Sequence, residues 1–450
     1  MATKELTAGS PLKVILKFMF PIFLGNMFQQ LYHFVDALIV GRYLGLKSLA
    51  AVGVTAPFIF FIISFIFAST QGFTVVTAQK FGARDYESLR KSLAISLVLS
   101  AILTVIMTLI SAPFSYSFLS FLNTPSDIIQ EASIYLFIMF AGIVATVFYN
   151  LSSNVLRALG DSKSPLYFLI FASFCNIVFD LLFILKLKTG IAGAGYATVL
   201  SQAIASVLCI TYMFSKFEIL RLKKEDWHFD KAFVLEHLRI GIPMGIQMSV
   251  LTLGILALQY VINTFGSAAI AAATTSMRVE QLFSQCLVAL GATMAVFTAQ
   301  NYGAKKLSRI KDGARCAVFI NIFVCVFAIV VLAFFADNII LLFMSEPDYE
   351  VLHLAKLYLF VSIAFLLFLG CLMIFRNILQ GMGNVGAPLM SGFAELIARI
   401  LGAFILGYYF KFTGVCFATP AAWIAATLVL YLGYKISLKK NIKIIRRKNI

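Results

Sequence analysis

Two aspartates stand in stretches that carry almost no other charge. Asp36 lies in the apolar run 14–40, six residues before Arg42, and Asp180 lies in the run 164–187, six residues before Lys186. If both runs cross a bilayer as helices in the same direction, a rise of about 1.5 Å per residue puts each carboxyl roughly 9 Å below the end of its helix. Asn176 precedes Asp180 by four residues, so it shares that helix face one turn deeper. Thr198, about seven residues into the run 191–214, comes to a similar depth. Two carboxylates, an amide and a hydroxyl form an oxygen-rich group able to bind Na⁺ or to trap a proton. The plainer alternative is that each aspartate only bonds a neighbouring helix. Asn150, on the run 131–156, falls near the depth of Asn176, and Asn154 lies closer to the opposite face.

Other residues on these runs suit a flat, lipophilic cation. Met27, Phe28, Gln29, Tyr32, His33 and Tyr149 offer stacking, cation–π and soft sulfur contacts, although such side chains also serve as ordinary packing or lipid-facing residues. Pro21, fifteen residues before Asp36, removes a helix hydrogen bond and permits a bend, which makes it a candidate hinge. Pro57 and Pro243 are similar breaks. The second half of the chain carries Arg278 and Glu280 in one run, and Glu395 and Arg399 in another. The last two are i,i+4 and of opposite sign, which reads as a self-neutralised structural pair. Glu280 falls near the midplane and is the candidate for contact with a substrate. Intramembrane ionisable groups are costly and tend to face a cavity.

Twelve apolar runs must position these residues: 14–40, 48–78, 92–114, 131–156, 164–187, 191–214, 239–264, 268–299, 313–343, 353–380, 386–410 and 414–437. The chain of 450 residues is 61% hydrophobic and 12% charged, against about a quarter charged for a soluble domain. That leaves room for a dozen spans and short loops, not for a large soluble domain besides. The polar start, Met1 to Ser10, and the long run after it do not form a cleavable signal peptide. With the N-terminus in the cytoplasm, most of the 36 Lys and Arg fall on the cytoplasmic side, Arg157, Arg376 and the segment Lys216–Arg239 among them. The net charge of +16 is therefore dispersed over loops, which argues against a nucleic-acid partner. Seven cysteines and four histidines are scattered without metal-binding spacing, and no HExxH, GxSxG or P-loop pattern is present. The expectation is neither an enzyme nor a cofactor protein.

The chain also repeats itself. Ala78-Gln79-Lys80-Phe81-Gly82-Ala83-Arg84 matches Ala299-Gln300-Asn301-Tyr302-Gly303-Ala304-Lys305, 221 positions on. Tyr43-Leu44-Gly45 echoes Thr264-Phe265-Gly266 at the same offset, and Arg157-Ala158-Leu159-Gly160-Asp161 with Pro165 matches Gln380-Gly381-Met382-Gly383-Asn384 with Pro388 at offset 223. Six spans per half start both halves on the same side. The expected fold is an all-α polytopic membrane protein of about twelve transmembrane helices, in two six-helix lobes related by a pseudo-two-fold along the membrane normal. The lobes are read as 1–220 and 232–450, with 221–231 as a cytoplasmic linker.

The duplicated lobes, the pattern Gln29…Asp36…Gly41-Arg42-Tyr43-Leu44-Gly45, the loop Arg157–Asp161 and the Asn176-x-x-x-Asp180 element resemble the multidrug and toxic compound extrusion (MATE) family. The resemblance covers nearly the whole chain. It implies a monomeric, multi-pass protein of the cell inner membrane, with both termini cytoplasmic, that exports cationic or amphiphilic drugs in exchange for H⁺ or Na⁺. It implies that Asp36, Asn176, Asp180 and Thr198 form a cation site and that Pro21 marks a bend in helix one. Acidic residues that some members use in spans seven and ten are absent here; Asp36 and Asp180 map onto Ala257 and Ala403. The second reading is a flippase of the same superfamily for lipid-linked or polysaccharide cargo. Such a cavity should carry cations for pyrophosphate, whereas the one expected here is acidic.

Overall fold

A computed structural model describes residues 5–121, 123–343 and 348–448. A backbone crossing lipid must satisfy its own hydrogen bonds, so long apolar runs fold as helices. The helices are α1 Pro11–Tyr43, α2 Leu46–Gly82, α3 Tyr86–Ser111, α4 Ser115–Phe121, α5 Ile129–Ala141, α6 Ile143–Ala158, α7 Lys163–Leu181 and α8 Ile191–Lys216. After the linker come α9 Lys231–Asn263, α10 Ser267–Gly303, α11 Leu307–Leu341, α12 Tyr349–Ala364, α13 Leu366–Gly381, α14 Gly386–Leu401, α15 Gly407–Cys416 and α16 Ala418–Lys448. No strand occurs among the described residues. Ten helical runs are long and apolar enough to cross a membrane, and two bent pairs raise the number to twelve.

Each of the twelve expected runs is matched by one span, with three departures. Spans four and ten are each broken, α5 to α6 by 43° at Gly142 and α12 to α13 by 45° at Phe365. The short helix α4 had no counterpart in the sequence reading. Span eleven continues past 410 as α15, through a π-helical turn at Gly402–Leu406 and a left-handed Lys411, φ 53°.

The repeat is written into the backbone as well as the side chains. The turns into α2 and α10 rest on Gly45, φ 88°, and Gly266, φ 89°, a conformation that costs glycine little. Arg84 and Lys305, the closing residues of the first sequence repeat, both have φ 58°. Lys188 and Lys411 pair likewise at 52° and 53°.

The chain packs as two compact units. The first comprises Leu24–Gly245 together with Glu5, and the second comprises Leu6–Phe23 with the chain from Ile246 onward. Helices α1 and α9 are therefore each shared, and each changes unit two residues after a proline, Pro21 or Pro243. Both helices run uninterrupted through that proline.

In the first unit α9 approaches α2 through glycine. A Cβ at Gly72 would lie 2.5 Å from Gly241 Cα, the close backbone approach typical of small residues between membrane helices. The linker folds back on α3, where Asp226 accepts from Arg90 Nε at 3.1 Å and from Lys223 N at 2.8 Å. In the second unit the segment before α1 is held by α10 and α11: Gln300 accepts from Leu6 N, and Arg309 donates to the carbonyls of Leu6, Ala8 and Gly9. Ile15, Phe18 and Ile22 join that unit's core. Large apolar side chains such as Phe323 and Phe334 stand exposed on α11, as lipid-facing positions require.

Candidate functional site

The first unit gathers a buried polar group from four spans. α1 supplies Tyr32 and Asp36, α5 supplies Tyr135, α7 supplies Asn176 and Asp180, and α8 supplies Thr198. Asn176 and Asp180 are fully buried, and Asp36 is nearly so. Their spacing of four residues stacks them on one face of α7, as the sequence requires. With its amide oriented so that donors meet acceptors, Asn176 Nδ2 donates to Asp180 Oδ2 at 3.0 Å, and its oxygen accepts from Thr198 N at 3.3 Å. Tyr32 Oη donates to Thr198 Oγ1 at 3.4 Å, which ties α1 to α8.

The carboxyl groups of Asp36 and Asp180 are close neighbours. Asp36 Oδ1 and Asp180 Oδ1 are buried and accept no hydrogen bond among the described residues, and neither aspartate forms a salt bridge there. Two carboxylates this close repel unless a proton or a cation stands between them. The donor set is all oxygen and two of its members are anionic, which fits a hard alkali cation as well as a shared proton. No group of three or more His, Cys, Asp or Glu able to hold a metal is found among the described residues.

Asp36, Asn176, Asp180 and Thr198 thus come together, with Tyr32 beside them. Asn150 does not join: its Nδ2 donates to Thr146 O at 2.9 Å on its own helix. Asn154 is buried nearer the end of α6, with an unpartnered Nδ2. Tyr149 donates to Pro165 O at 3.3 Å and packs in a separate apolar cluster. Met27 is half-buried, and Gln29 is exposed on α1. Tyr135, absent from the sequence reading, is buried within electrostatic reach of Asp36, Tyr32 and Asp180. Its only sequence signal was an aromatic in an apolar run, which does not distinguish it from packing.

The second unit holds a different group. Glu395 on α14 accepts from Arg399 Nη2 through Oε1 and from Arg376 Nη2 through Oε2, each at 2.9 Å. The i,i+4 ion pair is present, but it is not self-contained. Arg376, read from the sequence as a cytoplasmic-side cation, is instead only 6% exposed within this cluster. Half-buried Glu280 on α10 lies beside Arg399 and Ser362.

Ten to twelve apolar spans, a duplicated backbone and a buried carboxylate pair define a polytopic membrane protein with its ionisable site inside the helices. The MatE family model matches the chain twice, at residues 21–182 and 243–405, once in each repeat and 222 positions apart. The chain belongs to the MatE family. It is 30% identical to "Probable multidrug resistance protein YpnP" of Bacillus subtilis (strain 168) over the full length of both chains. It is 29% identical to "Probable multidrug resistance protein YoeA" of the same organism, over 98% of this chain and 97% of that one. Among solved structures, an outward-facing multidrug resistance MATE family transporter of the MOP superfamily superimposes with a TM-score of 0.91 at 25% identity, covering 98% of this chain and 99% of that one. The protein is a membrane transporter and not an enzyme.

Proposed function

We propose that this transporter is a secondary active multidrug efflux antiporter, exporting cationic or amphiphilic organic compounds in exchange for H⁺ or Na⁺. The observation that carries the reading is the Asp36–Asp180 pair, buried side by side without a countercharge. At about 4 Å and an effective dielectric of 20, two like charges repel by about 4 kcal/mol. A proton or Na⁺ relieves that repulsion, with Asn176 and Thr198 as neutral partners. An empty, doubly charged pair attracts a cationic drug, and the bound coupling ion weakens that attraction. By linkage the drug weakens the ion to the same extent.

Tyr32, one turn before Asp36, ties α1 to Thr198 of α8. Met27 and Gln29 on α1, with Tyr149 and Asn154, are proposed substrate contacts of the first unit, Glu280 is proposed as one of the second, and Pro21 is the proposed hinge. The protein is proposed to act as a monomer in the cell inner membrane. The terminal residues 1–4 and 449–450, to which the expected cytoplasmic orientation refers in part, lie outside the described residues.

The test is ethidium transport in proteoliposomes with Na⁺ and pH gradients imposed separately. Efflux driven by one of the two is expected. Transport indifferent to both gradients would rule out antiport by this pair.

A further inference from the structure

A cavity of about 370 Å³ abuts the break in span ten, bounded by Phe365 at that break and, from the following spans, by Leu406, Phe410, Thr413, Phe417 and Ala421. Its exposed walls are wholly apolar. The equivalent break in span four is closed. Gly142 stands there, 223 positions before Phe365, and a Cβ on it would lie 2.2 Å from Val199 Cγ2. Glycine lets the broken span four pack directly on α8. Phe365 puts a ring in that place, its centroid 6.2 Å from those of both Phe368 and Phe417. The ring props the break against Phe417, just before α16, and forms one wall of the cavity. Walls facing a void forgo dispersion contacts, so an apolar occupant is favoured.

The rim of the cavity names that occupant. Lys411 follows Phe410 directly and precedes Thr413 by two residues. It is exposed and forms no ion pair among the described residues. It is also the one charged residue between Arg399 and Lys435. Tyr408 and Tyr409 beside it are 82% and 72% exposed, in the manner of the aromatic belts at membrane interfaces. An exposed, unpaired ammonium flanked in sequence by two residues of an apolar slot matches a molecule with a phosphate at one end and a hydrocarbon chain at the other.

We propose that this cavity is a binding site for an anionic phospholipid of the bilayer, one acyl chain lying against Phe365, α15 and α16 and the phosphate paired with Lys411. The lipid completes the packing that Phe365 interrupts.

Native mass spectrometry of the full chain, released from detergent and titrated with phosphatidylglycerol or phosphatidylcholine, tests it. The wild type is expected to retain one phosphatidylglycerol in preference to phosphatidylcholine. Ala421→Phe fills the slot and should remove that adduct. Lys411→Gln, at an exposed position, should lower phosphatidylglycerol occupancy about fivefold and erase the headgroup preference. Unchanged adducts in Lys411→Gln overturn the proposal whatever Ala421→Phe does to folding. So does an Ala421→Phe protein that keeps its lipid and loses only ethidium binding, because the cavity would then belong to the drug path.

Discussion

Arg376 and Glu395, nineteen residues apart on α13 and α14, meet in a buried ion pair of 2.9 Å, while Arg399 takes the other carboxylate oxygen at the same distance. One carboxylate thereby binds two buried guanidinium groups, one on each oxygen. Removing a single member of such a group strands the others, at a cost of roughly 3–5 kcal/mol. Glu395→Gln is expected to lower the thermal unfolding temperature in detergent sharply. Replacing all three with apolar residues of similar size should recover most of the loss. A Glu395→Gln protein as stable as the wild type would mean that the arginines find other partners.

Asp36→Asn should abolish gradient-driven ethidium efflux and leave the protein folded. The amide keeps the shape, removes the repulsion, and can donate to Asp180, so burial costs less than an unpaired carboxylate does. Asp180→Asn should behave nearly the same. Transport is read in proteoliposomes and folding by size-exclusion elution. Wild-type efflux by Asp36→Asn would move coupling away from this pair and towards Glu280.

The α2–α9 contact offers no room for a methyl group. A Cβ on Gly241 would meet Phe73 Cε1 at 2.3 Å and Ser69 O at 2.8 Å. Gly241→Ala should therefore destabilise the first unit by about 1–3 kcal/mol through overpacking. Gly53→Ala, where nothing lies within 4 Å, is the control. Equal melting temperatures for the two variants would contradict the tight approach.

Asp85 caps α3, accepting from Ser88 N at 3.1 Å. Partial burial pushes its carboxyl up, but the Ser88 hydrogen bonds with Lys80 and Lys91 outweigh that and hold it below the usual carboxylate range. A depressed native value means the stabilisation is complete above the unfolded-state value, about 3.9, and is lost as pH falls through the native one. Asp85→Ala should cost about 1 kcal/mol at neutral pH. The gap to wild type should close below about pH 3.9. A gap that stays constant down to pH 3 would assign the loss to something other than the ionised cap.

The sequence by itself determined the spans and the duplication, and it set Asp36 and Asp180 at like distances from the ends of their runs. Apolar length specifies a membrane helix because lipid offers the backbone no partner. Helical rise and period place Asp36, Asn176 and Asp180 before any contact is known. Recurrence at offsets 221–223 marks two copies of one unit. Tertiary structure alone decided which side chains from different helices touch. Arg376 read as a peripheral cation because its partner lies on another helix, and Tyr135 read as packing because a phenol in an apolar run has no period of its own. The breaks at Gly142 and Phe365 were equally illegible. One is a glycine pressed against Val199 and the other a phenylalanine propped against Phe417, so what each residue does is set by the helix opposite and not by its neighbours in the chain.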